Sequence, residues 1–489
     1  VSTDAARPAV DPALWRTAFV LVLGTFMATI DTTIVSVALD VLADRFAVAV
    51  TDIHWVSTAY LLAVVTAVPA SGWLADRFGG RRAWAAAIAV FLLASLLCAL
   101  AWSLPSLIAF RVLQGAAGGL LPPLGQALLA RAAGPDRVGR VISVVAVVPL
   151  LSPVLGPLAG GAILGAASWP WLFCVNIPVG AVALVLVRRC VPEGARGERG
   201  APFDLRGAAL LAPGLAALVC GLTELGHTGS APLSAAAIAL GASMLVAFVG
   251  HGLRTRGVPL IDPRLFTRPP FGVAAVALVV LGASVFGTMF LLPLYLQRAA
   301  GLTAWETGLL LAPQGVGAAA GSLWVSRVVH RVAARTLVLS GIVLVAAGTV
   351  VFTQLARGVP DALIAASLLV RGVGAAMIGA PVMTLAYRAV APNGLPRAAG
   401  ALSLLNTLGG SVGTAVLAVV LRTRFAARGP DAAAAFADAF WWVLASTVLA
   451  AVAATRLPRP RQRDRPGPLA RPARRVDRRP PRPRKGARR

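Results

Sequence analysis

The chain has 489 residues, 58% of them hydrophobic and only 13% charged, against about 25% charged in an ordinary soluble domain, which excludes a soluble globular fold. Its formal net charge of +26 is unevenly placed: residues 456–489 hold 15 of the 45 Lys and Arg and 2 of the 19 acids. The rest consists mostly of apolar stretches about twenty residues long, the length that a bilayer core demands of a helix, so the expected fold class is an all-α polytopic membrane protein.

Apolar runs broken by Arg, Pro, Gly or Asp clusters predict fourteen spans. The first seven run from Trp15 to Leu39, Ile53 to Leu74, Ala83 to Ala101, Ser106 to Ala130, Val138 to Leu164, Trp171 to Val187 and Leu205 to Leu225. The second seven run from Ser234 to Leu253, Phe271 to Leu296, Thr307 to Val325, Thr336 to Leu355, Ala362 to Tyr387, Ala398 to Leu421 and Ala437 to Ala454. Arginine placement tests this count independently: twenty arginines lie in loops after even-numbered spans and six in loops after odd-numbered ones. A miscounted span would scramble that alternation, so both termini are expected on the arginine-rich, cytoplasmic side of the cell's inner membrane.

The first apolar run, from Trp15, is long enough to span, so an uncleaved N-terminus is expected. The Arg/Pro-rich tail from 455 has almost no apolar content and is expected to be disordered. It lacks interleaved aromatic residues, so association with anionic headgroups or plain solvation is expected rather than nucleic-acid binding. The four cysteines, Cys98, Cys174, Cys190 and Cys220, have no paired spacing and lie in or beside apolar stretches. They read as small core hydrophobes, and no metal or cofactor is expected.

An ionisable group inside a span is costly and marks a candidate site. Asp31 in span 1, Arg111 in span 4 and Arg371 in span 12 stand well inside the apolar runs, while Glu224 and His251 lie near the ends of spans 7 and 8, within reach of headgroups or water. Asp31 is either a proton carrier facing a cavity or a structural carboxyl bonded to its Thr neighbours or to an arginine.

Arg111 and Arg371 occupy related settings, Phe110-Arg111-Val112-Leu113-Gln114-Gly115 and Val370-Arg371-Gly372-Val373-Gly374. A second echo pairs Asp76-Arg77-Phe78-Gly79-Gly80-Arg81 after span 2 with Ser326-Arg327-Val328-Val329-His330-Arg331 after span 10. If span 12 corresponds to span 4 and span 10 to span 2, two six-helix units occupy spans 1–6 and 9–14, with spans 7 and 8 inserted between them. Paired repeats with polar groups at their interface are the architecture of alternating-access transporters. The expected organisation is a cytoplasmic N-terminus over 1–14, a first bundle over 15–187, a linker with two inserted helices over 188–270, a second bundle over 271–454 and the tail over 455–489.

The loop Gly72-Trp73-Leu74-Ala75-Asp76-Arg77-Phe78-Gly79-Gly80-Arg81 resembles the signature between helices 2 and 3 of the major facilitator superfamily. Arg111, Gln114 and Gly115 resemble that family's second motif, in which the arginine is linked with proton transfer. Gly156-Pro157-Leu158-Ala159-Gly160-Gly161, preceded by Ser152-Pro153, is similar to its antiporter motif in helix 5. The pattern around Asp31, the entry to span 6 at Trp169-Pro170-Trp171-Leu172-Phe173-Cys174-Val175-Asn176, and Phe203-Asp204-Leu205-Arg206-Gly207 resemble the fourteen-span drug:proton antiporter branch. Ser36, Asp40 and Pro170 depart from the branch's usual Asn, Pro and Arg, toward the outer face.

The resemblance implies a monomeric transporter of two six-helix bundles and two inserted central helices, which exports amphipathic small molecules in exchange for protons and needs no cofactor. It implies proton coupling at Asp31 and Arg111 and a cytoplasmic gate motif of Gly72, Asp76, Arg77, Gly79 and Arg81; Glu224, an ionisable residue near the end of span 7, is a further candidate for proton coupling. The helix 5 motif comprises Pro153, Gly156, Pro157, Gly160 and Gly161. Plausible cavity contacts are Phe26, Met27, Tyr60 and Gln114 from the first unit and Phe286, Met289, Phe290, Gln314, Met377 and Asn406 from the second. An uptake symporter would use the same carboxyl. A membrane-embedded enzyme would need clustered acids, His or metal ligands at the surface and a sizeable outer loop, which the chain lacks.

Overall fold

The computed structural model describes residues 12–455 except 49, 54, 146, 194–202, 228–230, 256, 258, 330, 392–393 and 429–430. Nearly all of the expected N-terminal segment at 1–14 and of the basic tail at 455–489 lies outside the described residues. In lipid, every backbone N–H and C=O must be satisfied within the segment, and the described regular structure is helical throughout.

The first eight long helices are α1 (Pro12–Ile34), α2 (Trp55–Phe78), α3 (Gly80–Ala99), α4 (Leu104–Gly134), α5 (Val147–Ala166), α6 (Trp171–Cys190), α7 (Leu205–His227) and α8 (Ala231–Arg254). The remaining six are α9 (Pro269–Arg298), α10 (Ala304–Val328), α11 (Ala334–Phe352), α12 (Asp361–Arg388), α13 (Leu395–Arg428) and α14 (Ala432–Thr455). Among the described residues thirteen helices are long and apolar enough to cross a membrane. The 20-residue α5 occupies the remaining expected span, between α4 and α6.

Three boundaries differ from the sequence reading, each for a local reason. The break expected between Ala130 and Val138 is a sharp turn at Gly134 (φ 69°, ψ 173°), after which the chain is helical again to Val145. Only glycine adopts that backbone without strain, so two helices join with no loop between them. Span 1 ends as an α-helix at Ile34 and tightens into a 3₁₀ turn over Val35–Ala38. Helix α13 runs past Leu421, carrying Arg424 and Arg428 to Asp438, with Arg428 Nη2 at 3.0 Å.

Packing repeats with a shift of eight helices. In the first bundle α4 packs on α2 and α3, α1 on α5 and α6, and α3 on α6; in the second, α12 packs on α10 and α11, α9 on α13 and α14, and α11 on α14. The two seams between bundles obey the same relation: α2 meets α13, and α5 meets α10. Helices α7 and α8 pair with each other, and α7 lies against both α2 and α13, covering that seam. Small residues permit the close approaches. Gly115 and Gly119 lie against the α2 backbone at Tyr60 and Val64, and Gly372 lies against the Gln314 carbonyl.

Candidate functional site

Asp31 is completely buried and Arg111 is 1% exposed. Arg111 Nη1 donates to Asp31 Oδ2 at 2.5 Å, while Gln114 Nε2 at 3.0 Å and Asn176 Nδ2 at 2.8 Å donate to Asp31 Oδ1. The Gln114 carbonyl oxygen in turn accepts from Arg111 Nη1 at 2.7 Å, and Ser95 Oγ accepts from Gln114 Nε2 at 2.8 Å. The guanidinium carbon lies 4.0 Å from the centre of the Tyr60 ring, whose hydroxyl donates to the Ala28 carbonyl at 3.1 Å. Five helices of the first bundle thus contribute to one cluster, in which α4 and α6 donate directly to the α1 carboxylate. A buried ion pair offsets its desolvation only when its other polar atoms are also bonded; here Asp31 accepts from three side chains, and Arg111 donates also to Gln114 and, through Nε at 3.3 Å, to the Val56 carbonyl.

Beside this cluster α1 and α5 touch through their small residues. A Cβ on Gly156 would collide with the Thr33 side chain, and one on Gly160 would meet the Ile34 carbonyl at 2.9 Å, whereas at Gly161 it would meet nothing. Thr33 Oγ1 donates to the Ser152 carbonyl at 3.1 Å, and Ser152 Oγ donates to Thr29 Oγ1 at 2.7 Å. The side chains of Pro153 and Pro157 fall outside the described residues.

At the arginine-rich ends of the helices the bundles are tied together. Asp76 Oδ2 pairs with Arg397 Nη2 at 2.9 Å, joining α2 to α13, and Arg131 of α4 interacts electrostatically with the same carboxylate. Gly72 lies directly beneath the Arg397 side chain, and Gly79 adopts φ 86°, a conformation that favours glycine. Arg77 is exposed. Arg81 forms an ion pair with Glu193 and reaches the Arg188 and Val191 carbonyls, each at 3.4 Å, linking the start of α3 to the end of α6. A further contact between the bundles joins α12 to α4, where Tyr387 donates to Gln126 Oε1 at 2.9 Å.

A cavity of about 730 Å³ lies between the bundles. It extends from Gln126 and Leu129 of α4, past Phe286 and Met289 of α9, to Gln297 and Thr307 at the helix ends opposite the arginine-rich ones. Thr25 and Thr33 of α1 line it, but Asp31 does not. Two residues turn a helix by about 200°, so α1 presents Thr33 to the cavity and Asp31 to the bundle interior.

Of the cavity residues expected from sequence, Phe286, Met289 and Asn406 stand on this wall. Tyr60 and Gln114 belong to the Asp31 cluster, Met27 and Met377 are buried in the core, and Gln314 is buried beside α12. Phe290 packs on a separate apolar cluster that includes Leu291 and Phe436, and Phe26 is half-buried. Glu224 is exposed on α7, outside both bundles. The reason is directional: an apolar helix in apolar surroundings carries little sequence mark of which face meets lipid, core or cavity.

Arg371 of α12 occupies the position in the second bundle that Arg111 holds in the first, and is 3% exposed. It donates to Thr288 Oγ1 at 2.6 Å, to the Ser284 carbonyl at 3.4 Å and to Thr349 Oγ1. Among the described residues no carboxylate is paired with it. Sequence reasoning missed Arg397, Asn176, Gln126 and Tyr387. Asn176 stood within the quoted span 6 motif and Arg397 among the loop arginines, but nothing in either position names its partner.

The Major Facilitator Superfamily description matches residues 21–414. The chain is 38% identical over 419 residues to the multidrug resistance protein B homolog of Mycobacterium tuberculosis, covering 85% of this chain and 77% of that protein. It is 28% identical over 406 residues to the MFS-type transporter YhcA of Bacillus subtilis, covering 83% and 76%. The fold is similar to that of the human organic anion transporter MFSD10, with a TM-score of 0.65, 16% identity and coverage of 91% of this chain and 100% of that one. It is similar also to the proton:xylose symporter XylE bound to 6-bromo-6-deoxy-D-glucose, with a TM-score of 0.64, 15% identity and coverage of 91% and 96%. With this match over most of its length, and with its two six-helix bundles around a central cavity, the chain belongs to the Major Facilitator Superfamily of membrane transporters.

Proposed function

We propose that the protein is a proton-coupled antiporter that exports amphipathic small molecules across the cytoplasmic membrane by alternating access. The observation that carries this reading is the Asp31–Arg111 pair, fully buried behind α1 while Thr25 and Thr33 of the same helix face the cavity. A proton arriving at Asp31 would release Arg111 and loosen the contacts that hold α1 against α4 and α6, and α1 would transmit that change to the cavity wall. Proton and substrate then need not share atoms; they compete through the position of one helix. Efflux rather than uptake is favoured by the multidrug resistance name of the Mycobacterium tuberculosis relative.

In this reading the arginine-rich face is cytoplasmic, by the positive-inside rule, and the Asp76–Arg397 latch closes it while the cavity faces outward. Residues 15–187 and 271–454 are the two moving bundles, 188–270 supplies the inserted pair, and the transporter acts as a monomer. One proton moving down 100 mV supplies about 2.3 kcal/mol, enough for a substrate gradient of roughly forty-fold.

The test uses inverted and right-side-out vesicles loaded with a pH-sensitive dye, under an imposed proton gradient, with a panel of amphipathic antibiotics and dyes. Substrate-triggered proton release that disappears in Asp31→Asn is the expected result. Protons moving in the same direction as substrate would instead establish symport, and an Asp31→Asn variant that couples normally would remove Asp31 from the mechanism.

A further inference from the structure

The wall of the central cavity holds no ionisable side chain among its described residues. Its hydrogen-bonding groups are amides and hydroxyls: Gln126, Gln297 and Asn406 with Thr25, Thr33 and Thr307. The buried Thr307 hydroxyl has no hydrogen-bond partner within the described residues, so it is available to a ligand. Among the described side chains, the nearest acids on these helices are engaged elsewhere. Asp31 faces its own cluster on the far side of α1, and Glu306, next to Thr307, accepts from the Thr303 backbone and hydroxyl, both at 2.8 Å, to cap α10. Phe286 is the one aromatic ring among the described wall residues, and a single ring is a weak substitute for a counter-ion.

Behind the opposite wall stands a charge of the other sign. Arg371 lies one helical turn before Ala375, which lines the cavity, and its donors reach neutral oxygens. The Asp31–Arg111 pair sums to zero, so among the described residues the fixed charge buried around the cavity is positive, and low-dielectric surroundings extend its field into the space between the bundles.

We propose that the cavity takes uncharged or anionic amphipathic molecules and excludes cations. This deepens the transport reading above and rests on that cavity being the substrate site. A cation entering it would lose its hydration with no carboxylate to replace it, against a repulsive field from Arg371. A neutral or anionic molecule presents its acceptors to the Thr307 hydroxyl and the amide NH₂ groups and its rings to Met289 and Phe286.

The test is equilibrium binding to the full chain in nanodiscs, corrected for empty discs, with three probes of similar shape: triphenylphosphine oxide, tetraphenylborate and tetraphenylphosphonium. The first two are expected to bind at least about ten-fold more tightly than tetraphenylphosphonium. Met289→Glu, placing a carboxylate on the cavity wall, is expected to strengthen tetraphenylphosphonium about ten-fold or more and weaken tetraphenylborate. Arg371→Met is expected to narrow the gap between the two ions. Tetraphenylphosphonium binding as tightly as tetraphenylborate would overturn the proposal, as would failure of both other probes to bind. Because no gradient is present, a failure of proton coupling leaves these affinities unchanged and shows itself in the vesicle assay instead.

Discussion

Asp76 at the end of α2 and Arg397 at the start of α13 meet at 2.9 Å across the seam between the bundles, with side chains 10% and 20% exposed. The pair spans 321 positions of sequence and joins the two halves at their arginine-rich ends. It is a charged contact that separation of these helix ends would break.

Breaking that latch should therefore shift the conformational equilibrium. Asp76→Asn and Arg397→Gln are each expected to favour opening of the arginine-rich face by about 1–3 kcal/mol, the range for charge-assisted bonds and close couplings. Distances between spin labels on α2 and α13 would measure the shift, and Asp76→Asn should cut transport more than binding. If the double variant shifts by the sum of the two single effects, the pair is not coupled and the latch is refuted.

The Asp31 cluster predicts an asymmetry between single and double variants. Asp31→Asn leaves a buried guanidinium without its counter-ion and is expected to cost about 3–5 kcal/mol. Asp31→Asn combined with Arg111→Gln should recover part of that loss. Thermal unfolding of the purified protein reads both.

Glycines of the same helix 5 motif should differ in tolerance. Gly156→Val forces a side chain into Thr33 and is expected to cost about 1–3 kcal/mol, reducing transport by separating α1 from α5. Gly161→Ala meets open space and should change unfolding by no more than about 0.5 kcal/mol. Equal effects at the two positions would contradict the α1–α5 contact.

A pH dependence is expected at the start of α7. Burial pushes the Asp204 carboxyl up, but hydrogen bonds from the Gly207 and Leu260 backbones and from His251 outweigh it and hold the group below the ordinary carboxylate range. A depressed folded-state value means that Asp204 stabilises the fold above its unfolded pKa of about 3.9, and that this contribution is lost as pH falls through the folded value. Asp204→Asn should lower thermal stability at pH 7 and flatten its decline on acidification, measured by unfolding scans from neutral to acid pH.

Much of the architecture is legible from sequence because a bilayer imposes a simple code: an apolar run of sufficient length marks a span. Hence fourteen spans, the repeat relating α4 to α12, and the insertion of α7 and α8 follow from the apolar runs and from Arg111 and Arg371. The positive φ of Gly79 is a backbone demand that the structure adds to a residue named from the motif alone. The direction in which a side chain points is not legible in the sequence. Met289 and Met377 look equivalent in sequence, yet one lines the cavity and the other is buried in the core.

What the sequence by itself determined was the membrane class, the number of spans and the intramembrane charges, because each follows from the cost of putting a given residue in lipid. Only the tertiary structure decided that Asp31 turns away from the cavity toward Arg111, Gln114 and Asn176, that Arg397 is the partner of Asp76, and that Arg371 has no carboxylate paired with it among the described residues. Those relations depend on helix rotation and on approaches between distant segments, and apolar helices surrounded by apolar lipid carry almost no sequence signal for either.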